Sequence, residues 1–128
     1  MRFLFFFSFT FLFSNLSPNL ALAKKITYKL CLQLTEEINS TLPMTVNQNA
    51  ILISSYCSGK ANSPSLHYIY NTQFDELGPG EYKRMQNVYC SSQKTKMLLA
   101  VLESVHLHYF SPDGTEFAVI KISEVDCK

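Results

Sequence analysis

Three imidazoles are the side chains of this sequence best suited to chemistry. His106 and His108 stand two positions apart in SVHLHYF, and on a strand that spacing turns both to one face. His67 lies in the earlier stretch LHYIYNTQF. Three imidazoles on one surface would suffice for a zinc site with an open fourth position. The sequence does not show that the two segments are neighbours. The plainer reading gives Val105, Leu107 and Tyr109 to the core and the two histidines to the outer face.

Other catalytic arrangements are weaker. Serines and threonines are plentiful, but no G-x-S-x-G elbow occurs. Glu36-Glu37 and Asp75-Glu76 are adjacent carboxylates, and sequence neighbours point in different directions, so they read as solvated charges rather than an acid/base pair. The seven tyrosines could stack on a ring ligand, and equally could fill a small core. No catalytic residue, cofactor or enzyme activity is expected.

Residues 1–23 carry Arg2 ahead of an apolar run from Phe3 to Phe13 and end on Ala21-Leu22-Ala23. The run is shorter than the ~20 residues of a bilayer span. It reads as a signal peptide cleaved before Lys24. No cysteine follows at once, so no lipid anchor and no stable membrane attachment is expected after cleavage. Residues 24–128 then form a single exported domain, periplasmic or secreted. Seven of the ten phenylalanines lie in the leader, and ten Lys and Arg balance ten Asp and Glu beyond it. That neutrality offers nucleic acid no electrostatic footing.

All four cysteines, Cys31, Cys57, Cys90 and Cys127, lie in the exported part. An even number in a small exported chain predicts two disulfides. Their wide spacing suits neither a zinc pair nor a redox Cys-x-x-Cys motif.

The elements that must carry these residues recur in order. Leu30, Leu34 and Ile38, with Cys31 beside them, predict a helix from Tyr28 to about Leu42-Pro43. MTVNQNAILISSYC and LHYIYNTQF predict two antiparallel strands. After Gly78-Pro79-Gly80, EYKRMQNVYC and SSQKTKMLLAVL are again helical, with a break at Cys90 and Ser91 or Ser92 as N-cap. The last two strands flank Ser111-Pro112-Asp113-Gly114, a turn sequence. The prediction is an α+β domain: a mainly antiparallel four-stranded sheet with two helices on one face, built as two helix-strand-strand units. The repeat favours bridges within units, Cys31 to Cys57 and Cys90 to Cys127; the crossed pairings stay open.

A three-residue loop with a bulge at Gly114 would pair Tyr109 with Phe117 and Leu107 with Val119. His106, His108 and Phe110 would then share the outer face with Ile120 and Ile122, a mixed surface suited to a protein partner or to self-association. A one-residue slip reverses this assignment. Asn39-Ser40-Thr41 is a glycosylation triplet if the chain passes an endoplasmic reticulum.

Leu42-Pro43-Met44 before a Val46 strand, Tyr68-Ile69-Tyr70, Val88-Tyr89-Cys90 before a helix, His108-Tyr109-Phe110 leading to Asp113-Gly114, and Asp126-Cys127 occur in an order that resembles the quorum-sensing-regulated virulence factor family of small exported bacterial proteins. The resemblance implies a periplasmic or secreted α+β domain and brings no catalytic residues with it. Cys31 and Cys57 lie outside the pattern. The leading expectation is an exported interaction protein, associated with virulence or the envelope, that works through its sheet surface. The alternative is a small-molecule or metal binder using His67, His106 and His108.

Overall fold

A computed structural model describes residues 27–128; the expected signal peptide, residues 1–23, lies outside them. Helix α1 (Thr27–Asn39) forms where the four-residue apolar spacing predicts. Leu30, Cys31, Leu34 and Ile38 are buried along one stripe. Completely burying a leucine such as Leu34 is worth about 1.5–3 kcal/mol, and four such positions outweigh the exposed Leu32. The helix stops at Asn39 because the Asn39 side chain turns to the sheet. Its Nδ2 donates to the Ser55 carbonyl at 3.1 Å, while its Oδ1 accepts from the Ser55 N–H at 3.0 Å and the Ser55 hydroxyl at 2.9 Å. The asparagine of the glycosylation triplet thus clamps a helix end to a strand.

The next stretch is two strands, not one. β1 (Met44–Asn47) turns back on β2 (Ala50–Lys60). The Asn47 side chain accepts the Asn49 N–H at 2.7 Å, and this local bond makes the turn without Gly or Pro. β2 pairs antiparallel with β3 (Ser63–Thr72) through a tight turn at residues 61–62, and Gly59, near the end of β2 opposite Pro64, has φ 100°. A Cβ there would meet the Ser63 carbonyl at 3.1 Å.

Two helices then cross over the sheet, α2 (Glu81–Ser91) and α3 (Gln93–Val101). The break falls at Ser92, whose extended backbone (φ −98°, ψ 133°) separates them. The Thr95 hydroxyl donates to the Tyr89 carbonyl at 2.5 Å and holds the corner together. So long a connection permits a parallel return. β4 (Ser104–Phe110) accordingly runs parallel to β3, and β5 (Glu116–Ile122) closes the sheet antiparallel to β4. A short 3-10 helix (Glu124–Cys127) follows.

The sheet has five strands in the order β1-β2-β3-β4-β5. The expected four antiparallel strands and two helices are corrected to a mixed five-stranded sheet with three α-helices among the described residues. The helices pack on one face over a single core that includes Leu66, Tyr68, Tyr70, Tyr89, Leu99, Leu107 and Ile120. Tyr70 and Tyr109, opposite each other across the parallel pair, stack at 5.3 Å. Most tyrosines therefore serve the core.

Two disulfides tie each helix-strand-strand unit internally. Cys31 on α1 is joined to Cys57 on β2, and Cys90 on α2 to Cys127 in the 3-10 helix.

The β4–β5 register corrects the expected outer face. The turn forms as expected, with Gly114 at φ 86° and the Asp113 carboxylate accepting the Thr115 N–H at 2.9 Å. Phe110 lies opposite Glu116, but a bulge then shifts the pairing, so that Tyr109 meets Ala118 and Leu107 meets Ile120. The extra residue at Phe117 moves every later side chain of β5 to the other face. Ile120 and Ile122 are fully buried beneath the helices, and Val119 and Lys121 take the outer face.

Candidate functional site

The face of the sheet that carries no helix among the described residues, its helix-free face, brings the three histidines together. The parallel register sets His67 directly opposite His106, and His108 lies one step further along β4, opposite Ile69. Odd positions of β3 and even positions of β4 face away from the helices, so all three rings share one surface. The His67 and His106 rings stack at 4.4 Å, and the His67 and His108 centroids lie 5.1 Å apart. Tyr56, opposite His67 on β2, covers the group with its ring 4.4 Å from that of His67 and 6° from parallel.

Each imidazole has one nitrogen fixed by an oxygen. Ser58 Oγ lies 2.7 Å from His67 Nε2, Ser104 Oγ lies 2.8 Å from His106 Nε2, and Glu116 Oε1 lies 2.6 Å from His108 Nδ1. Ser65 Oγ in turn lies 2.9 Å from Ser104 Oγ. Between the rings, His67 Nδ1 and His108 Nε2 are 2.8 Å apart. One set of tautomers satisfies the chain with every ring neutral. The Ser58 hydroxyl donates to His67 Nε2, His67 Nδ1–H donates to His108 Nε2, and His108 Nδ1–H donates to Glu116.

For His67 and His106 the surroundings favour the neutral ring. Burial, followed by repulsion from His106 and His108, lowers the pKa of His67 from 6.5 to about 4. His106 is lowered by burial first, then by Lys121 and His108.

Around this centre the face mixes apolar side chains with Lys121 and Glu116. Ile51, Ile53, Tyr56 and Val119 are 40, 39, 43 and 44% exposed. Phe110 is half-buried at the end of β4, where its carbonyl accepts the Thr72 hydroxyl at 3.1 Å. Of the residues expected on this surface, His106, His108 and Phe110 are present and His67 joins them. Ile120 and Ile122 are absent from it. Sequence reasoning missed Tyr56, Ser58, Ser104 and Glu116. Ser104-x-His106-x-His108 shares a face by strand alternation alone, so Ser104 could have been found; the others depend on strand pairing.

The fold has solved counterparts. A protein from Pseudomonas aeruginosa described as secreted superposes with a TM-score of 0.66 at 12% identity, covering 80% of this chain and 93% of that one. The type II secretion system pilotin EpsS of Vibrio vulnificus gives 0.58 at 14% identity, over 80% of this chain and 92% of its own. The pilotin AspS of Vibrio cholerae gives 0.57 at 16%, over 85% and 99%. At these identities the likeness is one of fold. No protein-family model matches the sequence, and no curated protein matches it.

Proposed function

We propose that this chain is an exported, non-enzymatic interaction protein of the periplasm or extracellular space, and that it docks a protein partner on the helix-free face of its sheet. The carrying observation is the cluster of half-exposed apolar side chains on that face: Ile51, Ile53, Tyr56 and Val119. A sheet face normally turns such residues to a second layer. Two disulfides suit an oxidising compartment. The fold shared with two pilotins of type II secretion systems supports a partner that is itself an envelope protein. Membership of the quorum-sensing-regulated virulence factor family belongs to the same reading and rests on the order of motifs in the sequence.

The test compares the wild-type exported chain with an Ile51→Glu/Val119→Glu variant. Both changes are at exposed positions, so the fold should persist. An envelope protein should be captured by the wild type, should cross-link to a probe placed at position 119, and should be lost from the variant. Equal capture by both proteins overturns the proposal. If light scattering instead shows wild-type dimers that the variant cannot form, the face belongs to a second copy of the chain.

A further inference from the structure

We propose that His67, His106 and His108 bind one late first-row divalent metal ion, with zinc as the reference ion, through three imidazole nitrogens and an open fourth position. The docking role could fail without affecting this inference, since the ion would be held by imidazole nitrogens and the docking test alters only Ile51 and Val119.

Geometry is the first argument. One nitrogen from each ring lies within 4.8 Å of the others, and the shortest separation is the 2.8 Å between His67 Nδ1 and His108 Nε2. Zinc–imidazole bonds of about 2.0–2.1 Å in a tetrahedral arrangement place ligand nitrogens about 3.3 Å apart. The observed separations bracket that value. The strand register already sets all three rings on one face, so converging on one ion requires side-chain rotation that opens the His67–His106 stack and draws the nitrogens to their bonding separation.

The second argument is the outer layer of oxygens. Metal-binding histidines characteristically donate their remaining N–H to a fixed acceptor, which sets the tautomer and aims the ring. Here all three have such a partner: Ser58 for His67, Ser104 for His106 and Glu116 for His108. The nitrogens left over are His67 Nδ1, His106 Nδ1 and His108 Nε2. Binding balances in protons when the rings are neutral. The proton on His67 Nδ1 moves to Nε2, where it is donated to Ser58 Oγ, and the hydroxyl hydrogen of Ser58 turns away. His108 already donates to Glu116.

The donor set decides the class of ion. Three imidazoles with no thiolate and no directly bound carboxylate suit zinc, copper or nickel and disfavour calcium and magnesium, which require oxygen. Two charges act on the site in opposite senses. Lys121 lies opposite His106 on β5 and opposes a cation, whereas Glu116 behind His108 favours one.

The experiment uses the untagged exported chain, stripped with a chelator and titrated with Zn(II) by calorimetry and with Co(II) by visible absorption. One ion per chain is expected, with the d–d bands of four-coordinate Co(II). His106→Ala should abolish binding. Ser104→Ala and Glu116→Ala should each weaken it about 10–100-fold, and Lys121→Gln should tighten it. Glu116 is exposed, so its variant reports even if His106→Ala does not fold. Failure of Zn(II) to bind, or binding unchanged by Glu116→Ala and Ser104→Ala, overturns the proposal.

Discussion

Ile120→Ala and Val119→Ala, two truncations one residue apart, separate the register seen here from the one a simple hairpin would give. Ile120 is fully buried opposite Leu107, among side chains from the helices, while Val119 is 44% exposed beside His108. Truncating a buried isoleucine removes its transfer free energy and leaves a cavity, a cost of about 2–5 kcal/mol. Truncating an exposed valine should change stability by about 0.5 kcal/mol or less. In a domain of this size each kcal/mol lowers the melting temperature by roughly 4 °C or more, so Ile120→Ala should melt at least about 8 °C below the wild type. With a urea slope of about 1.5 kcal/mol per M, a loss of about 3 kcal/mol moves the midpoint by about 2 M. Urea and thermal melts with the disulfides intact measure both variants. If Val119→Ala is the costlier change, the bulge at Phe117 is wrong and β5 turns its isoleucines to the outer face.

The remaining predictions use melts and peptide mapping. His67 has a folded pKa of about 4 against 6.5 when unfolded. Between these values the unfolded chain holds more protons, so stability is complete above pH ~6.5 and falls toward pH ~4, by at most a few kcal/mol and less with solvent screening; His67→Gln should flatten this limb in melts from pH 7 to pH 4. Peptide mapping without reduction should recover the Cys31–Cys57 and Cys90–Cys127 pairs. Loop-closure entropy for separations of 26 and 37 residues gives about 3.5 and about 4 kcal/mol for removing each bridge by paired Cys→Ala substitution, measured by urea unfolding. Asn39→Ala leaves the Ser55 N–H and hydroxyl without the acceptor they share and should cost about 1–3 kcal/mol, whereas Ser40→Ala, at an exposed position, should cost little.

The elements whose information is local were legible in the sequence. The stripe of Leu30, Leu34 and Ile38 gave α1, and the alternation of Val105, Leu107 and Tyr109 gave β4 and its buried face. The repeat of helix and two strands pointed to the disulfide pairing. Long-range information was not legible. Met44 to Cys57 reads as one apolar-rich strand because the turn at Asn47 depends on a side-chain bond rather than on Gly or Pro. The bulge at Phe117 has no sequence signature, and it reverses the expected faces of Ile120 and Ile122. The histidine group was half visible. His106 and His108 share a face by alternation, but His67 reaches them only through a parallel pairing of strands whose registered partners lie 39 residues apart in the chain.

Both disulfides close within their own half of the chain, and neither crosses the parallel boundary between β3 and β4. Mechanically the domain is two cross-linked blocks joined by a seam of hydrogen bonds and packed side chains. No disulfide resists strain across this seam, which rests on the strand pairing and the packed core alone. The imidazole group straddles it, with His67 on one lip and His106 and His108 on the other. An ion held by all three would rivet the two blocks across a joint that neither disulfide spans.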